Sequence, residues 1–303
     1  MPTLDFSVQG VIAALITPFD EQGRVNAQAL ERLVEFEIRA GVNGLSPCGT
    51  TGEVALLSFE ERQRVAEIVV CAARGRVPVL VQTGAAGTEM TLALTRQAQT
   101  IGADAATVVT PWYFRHSDDA LIQHYVCVAE GVPGFPIYLY NIPQLTGNDL
   151  KPALVHAIAD RCPNVVGLKD SCGMLMQVIE SAQARGGKFN VTIGSDGLIV
   201  PAFVSGIRAN ISGNANACPE VLVELQRAFA RGDLASAQTA QTRVNHIRRV
   251  LKDGGDLSLF KAVLTYRGIP CGGVRAPLLN ASPETINAAI QALLDLGIVL
   301  APV

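Results

Sequence analysis

Histidine is scarce in this 303-residue chain, with four copies, tryptophan occurs once, and lysine is outnumbered by arginine, five to nineteen. Seven cysteines are an odd number, scattered with no CxxC pair and no regular spacing. That excludes a disulfide framework and a cysteine zinc site, and it points to a reducing cytosol. No basic run and no aromatic-interleaved patch occurs, and the net charge is −3 with a pI near 5.8. Nucleic acid and anionic membrane surfaces therefore have no electrostatic footprint to bind. The longest apolar runs are strand-length, well short of the roughly 20 residues that span a bilayer. The opening MPTLDFSVQG has no basic segment and no long apolar stretch, so it does not read as a signal peptide. A cytoplasmic protein is expected.

What is present describes a packed globular chain: 49% hydrophobic and 17% charged residues. Length alone suggests two domains, but α/β barrels run past about 250 residues as one unit. Along the chain, short β-branched apolar runs alternate with stretches of helical periodicity. VIAALITPF (11–19) precedes a helical pattern over 27–40, GLSPCG (44–49) one over 58–73, VPVLVQTG (77–84) one over 90–100, and AATVVTP (105–111) one over 118–130. PIYLYNIP (136–143), NVVGLKDS (164–171), VTIGSD (191–196) and GIRANIS (206–212) complete eight strand-then-helix units. Continuous rather than alternating apolar strands fit a parallel sheet covered on both faces. A doubly wound open sheet is the competing architecture. Eight near-equal units and no GxGxxG after the first strand favour a closed (β/α)8 TIM barrel. Strand signals stop after Phe229, so residues 1–230 are predicted to form the barrel. Residues 231–303 are predicted to be a C-terminal helical extension packed on it, with helices over 234–251, 258–266 and 283–296.

In a barrel, chemistry comes from the C-terminal ends of strands and the loops that follow. Those ends read CGTTGE, QTGA, TPWYF, YNIPQLTG, KDSCG, GSDG and ISGNAN. They hold no histidine, no paired carboxylates and no metal-ligand cluster, and all four histidines fall in helical or surface-loop contexts. Histidine acid–base catalysis and metal-assisted hydrolysis are disfavoured, and neither metal nor cofactor is expected.

They do hold Lys169, a lysine among the core residues of VVGLKDS. The other four lysines lie in polar or helical contexts. Two readings stand at this point. Burial can lower the amine's pKa and free it to attack a carbonyl, giving a Schiff base that serves as an electron sink. Alternatively the lysine is structural and paired with Asp170 or another acid, although adjacent strand residues point to opposite faces. Tyr140, on the neighbouring strand, is either a proton shuttle or a barrel filler. GTTGE (49–53) is either a nest of backbone N–H groups for a carboxylate or an ordinary βα turn.

Taken together, GTTGE (49–53), YNIPxxTG (140–147) and GLKDS (167–171), with ITPF (16–19), TPWYF and the C-terminal helices, resemble the pyruvate-dependent class I aldolase family. That family includes dihydrodipicolinate synthase, N-acetylneuraminate lyase and the 2-keto-3-deoxy sugar acid aldolases. The resemblance spans nearly the whole chain. It implies a homotetrameric barrel in which Lys169 forms the Schiff base with pyruvate and Tyr140 is the general acid/base. Thr50 would link Tyr140 to Tyr113, which reaches in from a neighbouring subunit. Gly49, Thr50 and Thr51 would hold the pyruvate carboxylate, while Glu53 would fix the turn structurally. Synthases resemble one another in an arginine two residues after the YNxP proline, and here that residue is Leu145. Sialic acid lyases carry an acid after the strand-7 aspartate, and here Gly197 follows Asp196. Trp112 and Ala209 are further departures.

What remains is most similar to a 2-keto-3-deoxy sugar acid aldolase, with Asp196, Ser212 and Asn210 as expected ligands for hydroxyls of the aldehyde half. Expected small-molecule partners are pyruvate and an aldehyde. Alternatives within the same chemistry are sialic acid lyase, a 4-hydroxy-2-oxoglutarate-type aldolase, a dehydratase and the synthase. A non-catalytic binding or regulatory barrel is the alternative from another class.

Overall fold

Every strand of the fold comes from an apolar run singled out above. The computed structural model describes residues 4–302. The strands are β1 (Gly10–Ala14), β2 (Gly44–Ser46), β3 (Leu80–Gln82), β4 (Ala105–Val109), β5 (Ile137–Asn141), β6 (Val165–Asp170), β7 (Asn190–Ile193) and β8 (Ala209–Ser212). They belong to one eight-stranded sheet, and the order of elements is that of a (β/α)8 barrel with a helical C-terminal extension. All residues of β1, β4, β5 and β6 are buried, as continuously apolar strands require. Among the described residues, no helix is long and apolar enough to cross a membrane.

The chain groups into two compact units. The first holds the described residues up to Gln9 together with Pro78–Ile211. In it, β3 to β8 pair in parallel, each with the next. The register sets side chains in rows. Val109, Tyr140, Lys169, Thr192 and Ala209 form one row, and Thr107, Tyr138, Gly167 and Asn190 form a row on the same face nearer the strand starts. The lower row explains the glycine of GLKDS. A Cβ at Gly167 would lie 2.3 Å from the Tyr138 ring and 2.3 Å from the Asn190 carbonyl oxygen, so only glycine lets that ring lie across β6. The Tyr138 hydroxyl donates to Asn190 Oδ1 at 2.6 Å, and the same oxygen accepts from Val8 N–H at 3.0 Å.

The second unit holds Gly10–Val77 and the chain from Ser212 onward. β1 and β2 pair in parallel, with Ile12 opposite Gly44. The helix Phe59–Ala73 starts in a capping box, Ser58 accepting from Glu61 N–H and Glu61 accepting from Ser58 N–H. The three C-terminal helices span Leu234–Val250, Leu257–Tyr266 and Pro283–Asp295, close to the predicted ranges. They group with β1, β2 and the helix Pro219–Ala230.

Two expectations about polar residues need correction here. His124 is buried, with its Nδ1 2.9 Å from Thr88 Oγ1, and burial, helped by His116, pushes its pKa down to about 4. Lys261, expected in an unremarkable helical context, is 1% exposed and lies deeper than Lys169. Both sit on amphipathic helices whose apolar faces are wide enough to take a polar group inward once it has a partner.

Candidate active site

Lys169 is the fifth residue of β6 and is 6% exposed. Its register mate on β5 is Tyr140, and the two side chains leave the sheet on one face. Lys169 Nζ lies 4.1 Å from the centre of the Tyr140 ring. No carboxylate forms an ion pair with it among the described residues. Asp170 cannot serve, because the strand turns it to the opposite face. There its Oδ1 accepts from Cys172 N–H at 2.7 Å and its Oδ2 from Asn141 Nδ2 at 3.2 Å. Burial raises the Asp170 pKa, against the lowering effect of those hydrogen bonds. The structural pairing of Lys169 with Asp170 is thereby excluded. The amine is buried and held over an aromatic ring.

Tyr140 is 2% exposed and packs with Val109 and Ile142, against which half-buried Trp112 lies. Asn141, on the other face, fixes the strand end: its Nδ2 donates to Asp149 and Asp170, and its Oδ1 accepts from Leu150 N–H at 3.0 Å. The YN dipeptide thus divides its work, with tyrosine on the lysine's face and asparagine as a staple behind the sheet. The loop after β6 is joined to its neighbours. Gln144 Nε2 donates to Ser171 O at 2.8 Å, and the space opposite Gly194 is filled by Ser171 Oγ, 2.0 Å from where a Cβ would sit.

Tyr113 lies on the loop after β4, 86% exposed, with φ at 81°. A tyrosine in the left-handed region is strained. Asn148 holds it there: Nδ2 donates to Pro111 O at 2.9 Å and Phe114 O at 2.8 Å, and Oδ1 accepts from His116 N–H at 2.8 Å. The ring meets Phe114 edge-on, with centroids 4.9 Å apart. Asn148 was not singled out from the sequence; its position directly after the YNIPxxTG run was the available signal. Leu145, in the one-turn helix Pro143–Thr146 after β5, is 62% exposed.

Asp196 opens a short 3-10 turn after β7 and is buried. Asn210 is not brought to the lysine. Its register mates are Ile193 and, through β7, Asp170, so it leaves the sheet on the face away from Lys169. Neither end of its amide has a hydrogen-bond partner.

In the second unit, Gly49, Thr50 and Thr51 form a tight turn after β2. Gly49 O accepts from Gly52 N–H at 3.0 Å, and Thr50 O from Glu53 N–H at 3.1 Å. Thr17 Oγ1 donates to Gly52 O at 2.8 Å. Thr51 Oγ1 lies against Gly213, where a Cβ would come within 3.1 Å of it. Ser212, which closes β8, is buried. Asn216 ties the strand ends, its Nδ2 donating to Ala14 O at 2.7 Å and its Oδ1 accepting from Ile16 N–H at 3.0 Å. No group of three or more histidine, cysteine or acidic side chains is arranged to hold a metal among the described residues.

Comparison with known proteins gives a consistent picture. The family model described as "Dihydrodipicolinate synthetase family" matches residues 7–295. The chain is 36% identical over 291 residues to a 4-hydroxy-tetrahydrodipicolinate synthase of Nitratidesulfovibrio vulgaris, covering 96% of this chain and 99% of that one. Among solved structures, it is similar to YagE, a prophage protein of the dihydrodipicolinic acid synthase family from E. coli K12 in complex with pyruvate. There the TM-score is 0.91 at 30% identity, with 96% of this chain and 99% of that chain covered. Dihydrodipicolinate synthase from Aquifex aeolicus gives a TM-score of 0.90 at 34% identity, covering 96% and 98%.

Proposed function

The chain belongs to the dihydrodipicolinate synthetase family, whose enzymes work on pyruvate through a Schiff base, and from that premise we propose that it is a lyase that reversibly cleaves a 2-keto-3-deoxy sugar acid into pyruvate and an aldehyde. The observation that carries the reading is Lys169, a buried amine with no ion-pair partner among the described residues, 4.1 Å from the ring of a buried tyrosine. A lysine amine placed at a strand end of a barrel is a nucleophile suited to carbonyl carbons.

In this reading Lys169 Nζ attacks C2 of the keto acid. The C–N bond forms, the C2 oxygen leaves as water, and a protonated imine results. Tyr140 gives its hydroxyl proton to the departing water, and the phenolate oxygen so formed takes the proton of the C4 hydroxyl as the C3–C4 bond breaks, the aldehyde leaves, and the electron pair enters the imine as an enamine. Protonation at C3 and hydrolysis of the imine then release pyruvate and restore the lysine. Thr50 is assigned to relay the proton between Tyr140 and Tyr113. The Gly49–Thr51 turn is assigned to the substrate carboxylate and Asp196 to hydroxyls of the aldehyde half, while Ser212, two residues from Asn210 on β8, shares the face turned away from Lys169 and is not assigned to substrate. Tyr113 is assigned to a second copy of the chain in a homotetramer. Its support is an almost fully exposed aromatic held in a strained conformation by Asn148, an arrangement that costs energy in an isolated chain.

The second reading is the synthase, favoured by the names of the curated relatives. Against it stands Leu145, which offers no cation to the carboxylate of aspartate semialdehyde. The test has two stages. Incubation with pyruvate and borohydride, followed by peptide mass spectrometry, is expected to find the reduced adduct on Lys169; an unmodified lysine sinks the Schiff-base reading. A panel of aldehydes offered with pyruvate is expected to favour uncharged hydroxyaldehydes. Fastest turnover of aspartate semialdehyde transfers the assignment to the synthase.

A further inference from the structure

Glu53 closes the Gly49–Glu53 turn, and its side chain is completely buried. Two non-glycine residues bounding the turn, Cys48 (φ 61°) and Glu53 (φ 60°), sit in the left-handed region. Such backbone persists only where its surroundings hold it. Here the hold comes from the far end of the chain. Glu53 Oε1 lies 2.5 Å from Lys261 Nζ on the helix Leu257–Tyr266, and Glu53 Oε2 accepts from Arg275 N–H at 2.8 Å. Lys261 Nζ also donates to Gly273 O at 2.8 Å and lies 4.0 Å from the Phe19 ring centre. Phe19 directly follows the ITP segment after β1. The Arg275 guanidinium lies 4.2 Å from that ring, pairs with Glu61, and donates to Leu56 O at 2.9 Å.

Stability alone does not account for this arrangement. Burial lowers the Lys261 pKa, against the raising effect of Glu53. Replacing a buried ion pair with apolar residues of similar volume is often neutral or stabilising, whereas removing one partner is costly. What an ion pair supplies and an apolar contact does not is a fixed direction. The carboxylate is located by a cation on one oxygen and a backbone N–H on the other, and the turn's exit is located with it.

We propose that Lys261 is a positioning residue: through Glu53 it fixes the Gly49–Glu53 turn for a keto acid's carboxylate, and so sets pyruvate affinity rather than imine chemistry. The proposal rests on the reading above in which this turn receives the substrate carboxylate. The C-terminal helices thereby take part in substrate binding without touching substrate.

The test uses Lys261→Met, which leaves a buried carboxylate unpaired, and the double variant Glu53→Gln/Lys261→Met, which removes both charges and avoids that cost. Two quantities are read in the full-length protein. The first is hydrogen exchange of the peptide spanning residues 50–54. The second is the pyruvate concentration that half-saturates borohydride-trapped adduct on Lys169. In both variants, exchange is expected to quicken and half-saturation to rise about tenfold with an unchanged plateau, because misplacing a binding group by a fraction of an ångström weakens what it holds. Restoration of both quantities in the double variant overturns the proposal, since the pair would then be merely structural. If Lys261→Met does not fold, the double variant decides alone: wild-type exchange refutes, faster exchange supports. Absence of adduct in the wild type refutes the Schiff-base reading instead, and the exchange measurement still decides this one.

Discussion

Glu37 offers the sharpest physical test of the second unit. It lies on the helix Ala27–Ala40, is fully buried, and neither carboxylate oxygen has a hydrogen-bond partner. Burial raises its pKa well above the usual carboxylate range; the Glu220 carboxylate adds to the rise, and the Arg267 guanidinium opposes it. Arg267 cannot fully neutralise Glu37, because it pairs with Glu220, donates to Ala217 O at 3.0 Å, and stacks 4.5 Å over the Phe36 ring. The folded chain therefore keeps a proton on Glu37 that the unfolded chain releases near the ordinary value of 4.5. With the folded pKa raised, the stability is fully present below the unfolded value and is lost as pH rises toward the folded value. The slope is about 1.4 kcal/mol for each pH unit in that window.

Glu37→Gln has nearly the shape of the protonated acid and does not titrate. It is expected to carry a fixed offset of about 1 kcal/mol from its second amide donor. It should then gain on the wild type by about 1.4 kcal/mol per pH unit above the ordinary glutamate range. Urea unfolding of both proteins at pH 5, 6 and 7 measures that gap. An infrared difference spectrum of wild type minus variant should show a protonated carboxylic acid at pH values just above the ordinary 4.5. A gap constant with pH, together with a carboxylate band only, would refute the reasoning.

Two further substitutions probe the lysine's surroundings. Tyr140→Phe is expected to form the borohydride-trapped adduct while turnover falls by about 10²–10⁴-fold, the usual loss on removing a general acid/base; turnover equal to wild type in a coupled pyruvate assay would mean another group moves the proton. Gly167→Ala drives a methyl group into the Tyr138 ring and the Asn190 carbonyl, both 2.3 Å away. It is expected to lower stability by about 1–3 kcal/mol and to reduce the rate of adduct formation on Lys169, two residues along the same strand. An unchanged thermal midpoint would show that the sheet yields more easily than this geometry allows.

Much of the fold was legible because it is local. A parallel strand buried on both faces reads as an apolar run, and a helix reads as a 3.6-residue period, so the eight alternations and the three terminal helices could be placed within a few residues. Lys169 stood out for the same reason, as a charge inside such a run, and the two-residue alternation already argued that Asp170 faces away from it. Asn210 shows the limit of that reading. From sequence it is a strand-end polar residue, but which face it takes is set by register with β7 and β6, and the register puts it in line with Asp170. His124, Glu37 and Lys261 were passed over because a single polar residue on an amphipathic helix reads as surface unless its partner is known.

The sequence by itself determined the order of elements and marked Lys169 as a charge inside an apolar run, because each depends on spacing within a few residues. Only the tertiary structure decided what the charges do. It turned Asp170 to Asn141 rather than to Lys169, left Glu37 unpartnered, and brought Lys261 to Glu53 across some two hundred residues of chain. Such pairings follow from which surfaces meet when the chain folds, and no local period encodes them.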